Sequence, residues 1–247
     1  MAKKKKETQV ATKQETALSK PEDRRGHEEP SRQEDFIIPR AALLQKTSPL
    51  LDQYSELKPG MIVNSLTGEI LPAEFIPITK RTYWVRFNPR DAKDPNYLPE
   101  FAPGAIVWKS DNPNDPKVLR DGEFGPNGEK PAATKFLSFL AHFSGHDMPV
   151  VIAFSKTSFN TGRALNTLTK TAPGPMFASK YTLSAIKKEN DKGVFFVFKV
   201  NKAGQSSDEE FKTAEQFYKQ FADVQDLKFH DEEETTPEGE SAEEKVF

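Results

Sequence analysis

The chain has 247 residues, of which 36% are hydrophobic, with 35 bases, 37 acids and no cysteine. This composition excludes disulfides and thiolate metal sites, and no run of 18 apolar residues is present to span a membrane. The formal net charge of −2 hides a segregation: residues 1–34 carry nine bases and seven acids (+2), residues 35–230 carry 25 and 22 (+3), and residues 231–247 carry one base and eight acids (−7). In chain order, 1–34 reads as a disordered charged arm, because it has almost nothing to bury. Its start, MAKKKKETQ, has a basic cluster (Lys3–Lys6) but no apolar stretch behind it, so it is no secretory signal, and a cytoplasmic location is expected. Lys3–Lys6 reads as a solvated arm or as a weak grip on a polyanion.

Order is expected from Phe36. KPGMIVNSLTGEIL (Lys58–Leu71) reads as two short strands around a turn at Leu66-Thr67-Gly68, and EFIPITKRTYWVRFNP (Glu74–Pro89) as a strand rich in β-branched and aromatic residues. Residues 88–131 are dense in Pro, Gly, Asp and Asn and read as a long excursion, with a hairpin at Gly125-Pro-Asn-Gly128. KPAATKFLSFLAHF (Lys130–Phe143) has Phe136, Leu137, Leu140 and Phe143 at helical spacing and predicts a short helix. Met148–Ser155 predicts a buried strand and Ser158–Ala172 a helix. Phe177–Lys187 and Val194–Asn201 predict a hairpin closed at Glu189–Gly193. The last helix is signalled by a capping box, Ser207 with Glu210, ahead of the apolar stripe Phe211, Ala214, Phe217, Phe221. The class is α+β and β-rich: about six strands in a small barrel over 35–230, a C-terminal helix and disordered termini.

Enzyme signatures are missing, and a non-enzymatic role without cofactor is expected. There is no phosphate-loop, dinucleotide-binding or G-x-S-x-G pattern. His142 and His146 lie four apart, but Gly145 interrupts them and no H-E-x-x-H exists, so no metal site is expected there. The acids of Asp111-Asn-Pro-Asn-Asp115 lack the trailing Glu of a calcium loop.

TKRTYWVRFNPR, Thr79 to Arg90, interleaves cations with rings. In a strand, Lys80, Thr82, Trp84, Arg86 and Asn88 share one face, and Arg81, Tyr83, Val85 and Phe87 the other. The first set puts Trp84 between two cations on an expected exposed face, the arrangement a sequence-tolerant single-strand binder uses; the alternative is an amphipathic strand with Trp84 packed under a loop. Trp84, Tyr83 and Tyr181 are the candidate stacking rings. Lys80, Arg81, Arg86, Lys156, Arg163 and Lys180 are the candidate phosphate contacts. No helix is basic enough for duplex readout in a major groove.

The tail DEEETTPEGESAEEKVF reads as disordered acidic chain ending in a ring and a carboxylate. It is either a solubilising tail or a recognition handle, with Glu243, Glu244, Val246 and Phe247 as the partner-binding residues. The layout is similar to that of bacterial and phage single-stranded DNA-binding proteins, which end in an acidic tip and a C-terminal Phe. Lys245 interrupts the tip here, and Val246 stands where the bacterial family has Pro. The body resembles a phage-encoded single-stranded DNA-binding family in KPGMIVNSLTGEIL, EFIPITKRTYWVRFNP, PVVIAFSKTS and GPMFASKYTLSAIKKENDKGVFFVFKV. Some of its members carry central cysteines; this chain has none. The resemblance implies an oligonucleotide-binding barrel, single-stranded DNA as ligand, and a role in phage DNA replication, recombination or repair. Polymerase, helicase, primase or recombinase would be recruited through the tail. The rival reading is a phage interaction factor that binds a host enzyme such as RNA polymerase with a nucleic-acid-mimicking tail. Monomer and homodimer both stay open.

Overall fold

The computed structural model describes residues 37–221 apart from 127 and 192. The expectations for 1–34 and for the tail residues Glu243, Glu244, Val246 and Phe247 lie outside the described residues. The fold is built on one long strand. Ile, Thr, Tyr, Trp, Val and Phe dominate Glu74–Phe87 and favour extended backbone, and all 14 residues are strand. In chain order the elements are β1 (Ala41–Leu43), α1 (Leu50–Gln53), β2 (Ile62–Asn64), β3 (Glu74–Phe87), β4 (Ile106–Ser110), α2 (Pro116–Asp121), β5 (Ala133–Phe143), β6 (Val150–Phe154), α3 (Phe159–Thr171), β7 (Ser179–Asn190), β8 (Gly193–Gln205) and α4 (Asp208–Phe221).

Six strands form one antiparallel sheet in the order β6-β5-β3-β7-β8, with β4 also paired to β3. β1 and β2 make a separate two-stranded sheet. The class is α+β and β-rich, but the expected closed barrel is corrected: β6 and β8 are the two ends and do not pair, so the sheet is open. Open edges invite pairing with other chains, and this chain covers both of its own in part. The segment before β1 bridges β6 at Arg40↔Val151. On β8 the Gln45 side chain stands in for a strand. Its Nε2 donates to the Phe196 carbonyl and its Oε1 accepts the Phe196 N–H, each at 2.9 Å.

The sheet is buried on both faces. Phe75, Leu137, Phe139, Ala141, Phe143, Tyr181, Leu183 and Phe198 pack with Leu165 under α3. Ile76, Ile78, Leu140 and Val151 pack with Phe177 and Ala214 under α4. This explains the failure of the helix expected over Lys130–Phe143, which is β5. A strand covered on both sides is apolar at successive positions, so its sequence loses the period of two and mimics a helical stripe.

The excursion holds two unpredicted elements, β4 and α2, and is ordered by one residue. Asn88 Nδ2 donates to the carbonyls of Leu98 (3.0 Å) and Phe101 (2.8 Å), while its Oδ1 accepts the Leu98 N–H at 2.8 Å. The hairpin expected at Gly125–Gly128 is a turn without flanking strands, in which the Gly128 N–H donates to the Gly125 carbonyl at 2.9 Å.

The capping box of α4 forms as expected: Glu210 accepts the Ser207 N–H at 2.8 Å and donates its own N–H to Ser207 Oγ at 3.3 Å. Glu210 also accepts from Ser144 Oγ at 3.0 Å and pairs with Lys180 at 3.3 Å, tying the helix start to β7. Burial alone raises the pKa of this carboxyl, but the Ser207, Ser144 and Lys180 bonds outweigh it and hold the group at about 2, against an ordinary 4.5. A depressed carboxyl stabilises the fold above its unfolded pKa and loses that contribution as the pH falls through its folded value. Glu210→Gln is therefore expected to flatten the decline of Tm between pH 4.5 and about 2, measured by thermal unfolding across that range. An unchanged acid slope would remove Glu210 as its source.

Candidate nucleic-acid interface

The pairing of β3 with β5 decides which side chains share a face. A bulge lies between Pro77 and Thr79; beyond it Lys80 faces Phe139, Thr82 faces Leu137, Trp84 faces Lys135 and Arg86 faces Ala133. These four residues of β3 stand on the α3 side of the sheet. Arg81, Tyr83 and Val85, opposite Ser138, Phe136 and Thr134, stand on the α4 side. The alternation read from the sequence holds, but the exposed aromatic face does not.

Trp84 is 8% exposed, packed with Trp108, Val118 and Ala133 beneath α2. Tyr83 is 4% exposed and stacks on Phe136 at 5.0 Å, with Lys109 Nζ over its ring at 4.7 Å. Tyr181 is 0% exposed and lies in the main core, tilted against Phe75. All three rings are interior, because elements the strand pattern does not reveal cover them. None offers a face to a base, and this corrects the stacking assignment.

Two of the cations are neutralised by structure. Arg86 Nη1 meets Asp121 Oδ2 at 2.9 Å, with the Trp108 indole N–H at 3.2 Å from the same oxygen. Arg120 grips the same carboxylate at 2.6 and 2.9 Å, and this bond most of all lowers Asp121 to about 2 against the cost of burial. The carboxylate thus staples α2 over Trp84. Lys180 is held between Glu74 at 3.0 Å and Glu210 at 3.3 Å. Arg81 lies on the α4 side and has its own interactions. Lys156 follows β6 in a one-turn 3₁₀ segment with φ 44°, a left-handed conformation uncommon for a lysine.

Lys80 and Arg163 remain, and the structure adds two lysines to them. Lys135, directly across from Trp84, holds its ammonium 5.0 Å from the Trp84 ring and 5.9 Å from the ring of Phe159, the first residue of α3. Lys170 lies near the end of α3. Positions 159, 163, 166 and 170 recur at helical spacing, so Phe159, Arg163, Asn166 and Lys170 form one stripe along α3. Partial burial, then the charges of Lys170 and Lys135, lower the pKa of Lys80. Among the described residues, no carboxylate pairs with Lys80, Lys135 or Lys170. A strip of like charge thus runs between α2 and α3, floored by β3 and β5. Lys135 was hidden from sequence reasoning by the mistaken helix; its place opposite Trp84 follows only from strand register.

A family model described as Pam3 phage gp34-like protein matches residues 5–225. The chain belongs to that family. The match carries the phage connection expected from the sequence, and the family description names no ligand. No curated protein and no solved structure matches the chain significantly. Among the described residues, no helix is long and apolar enough to cross a membrane.

Because Trp84 is core rather than platform, Trp84→Ala is expected to lower the unfolding free energy by about 3–5 kcal/mol, the range for emptying a buried aromatic site. Denaturant titration followed by near-UV circular dichroism checks this; a loss below about 1 kcal/mol would place the indole outside the core.

Proposed function

We propose that this phage-family chain is a non-enzymatic single-stranded nucleic-acid-binding protein, acting without sequence specificity in phage DNA replication or recombination, with the strip between α2 and α3 as its phosphate-binding surface. The observation that carries the reading is the convergence of Lys80, Lys135 and Lys170 without a carboxylate among the described residues. Partial burial and then the charges of Lys170 and Lys135 disfavour the charged form of Lys80, while Arg86 and Lys180 are each paired with carboxylates. A phosphate backbone relieves that repulsion. Arg163, on the same stripe of α3, extends the strip along the helix. Binding to a polyanion through such contacts releases counterions and weakens as salt rises.

The acidic tail fits the same scheme. Residues 231–247 begin ten residues past Phe221, the end of α4, and carry eight acids and one base. Ten residues span at most ~33–36 Å. The tail competes intramolecularly for the lysine strip. Nucleic acid displaces it, which leaves Glu243, Glu244, Val246 and Phe247 to engage a replication or recombination partner.

The test is fluorescence anisotropy of a labelled oligothymidine over a series of salt concentrations. Lys80→Ala, Lys135→Ala and Lys170→Ala are each expected to weaken binding and to flatten the slope of log K against log salt by about 0.7 per lost phosphate contact. A chain ending at His230 is expected to bind more tightly than the full chain. Affinity independent of salt, or unchanged in the triple variant, would remove the strip as the binding surface. Equal affinity of the two chain lengths would remove the tail as competitor. Capture of a host enzyme by the full chain, with no oligothymidine binding, would favour the interaction-factor reading instead.

A further inference from the structure

With Trp84, Tyr83 and Tyr181 buried, a strand laid along the lysines needs another ring if its bases are to stack. Phe124 is 71% exposed, the most open of the large apolar side chains among the described residues. It is not on a slack loop. The chain leaves α2 at Gly122, which sits hard against Trp84: a Cβ there would lie 3.1 Å from Trp84 Cδ1 and 2.6 Å from the Val118 carbonyl oxygen. Phe124 is two residues further on, so its Cα is within about 7.6 Å of that contact. Beyond it the Gly125 N–H donates to the Glu129 carbonyl at 2.9 Å and turns the chain back. β5 then begins at Ala133, which packs on Trp84, and carries Lys135 over the same indole at 5.0 Å. Phe124 thus lies in the segment between Gly122 and Ala133, both of which touch Trp84, the ring that Lys135 covers.

We propose that Phe124 is the stacking ring of this surface and takes an unpaired base of single-stranded nucleic acid. The inference rests on the single-strand reading above. Exposing a phenyl ring beside cations is costly in water and useful to a base, since stacking is tolerant of sequence and adds to phosphate contacts. The position explains why a chain whose predicted rings are all interior can still read bases as well as charge.

The experiment uses the full chain and two probes, a labelled oligothymidine and an inorganic polyphosphate of matched charge that has no bases. Phe124→Ala is expected to weaken oligothymidine binding roughly ten-fold, within the range for loss of one stacked base, and to leave polyphosphate binding unchanged. Phe124→Trp is expected to retain oligothymidine affinity, with the introduced indole quenched by oligothymidine and not by polyphosphate. If Phe124→Ala binds both probes as the unaltered chain does, the stacking assignment fails while the lysine strip stands. Equal weakening toward both probes also overturns it, because the ring would then be acting through the fold. If the unaltered chain binds neither probe, the single-strand reading itself fails.

Discussion

β3 is the constraint on which the other parts depend. Its 14 residues pair with β5 along one edge, and with β7 at the start and β4 at the end of the other. Its first half feeds the cores under α3 and α4, and Trp84 further along is covered by α2. The bulge between Pro77 and Thr79 lets one strand serve two regions. Before it, Phe75, Ile76 and Ile78 feed the two cores. After it, the same strand carries Lys80, Trp84 and Arg86 on the α3 side of the sheet, where α2 covers Trp84.

The way the chain treats its cations separates structure from surface. Asp121 gathers Arg86, Arg120 and the Trp108 indole N–H, and this bonded carboxylate is what keeps α2 down on Trp84. Glu74 and Glu210 gather Lys180 and so seat α4. A partly buried charge that loses its partner costs far more than a surface pair contributes, so these groups belong to the fold. Lys80, Lys135 and Lys170 are the contrast. Among the described residues, no carboxylate pairs with any of the three. Phe124 is exposed two residues past Gly122, which is pressed against Trp84.

The sequence by itself determined much of the local structure. Period and composition mark β3, β6, the β7–β8 hairpin and α3, and the Ser207–Glu210 capping box marks the start of α4, because each of these signals is written within a few residues. Alternation along Thr79–Arg90 assigned the two faces of β3 correctly, and segregated charge marked the tail. Tertiary structure decided what those faces meet. β5 was unreadable because burial on both sides erases the strand period, and with it went Lys135. Trp84 between two cations reads as exposed until α2, from a Pro- and Gly-rich stretch with weak periodicity, folds over it. Whether a charge is paired depends on residues tens of positions away, as with Arg86 and Asp121, and no local pattern carries that distance. Exposure and pairing are properties of the packed whole, so the basic character of the body and candidates such as Lys80 and Arg163 were legible in the chain, while the place of Lys135 and the burial of the expected rings were not.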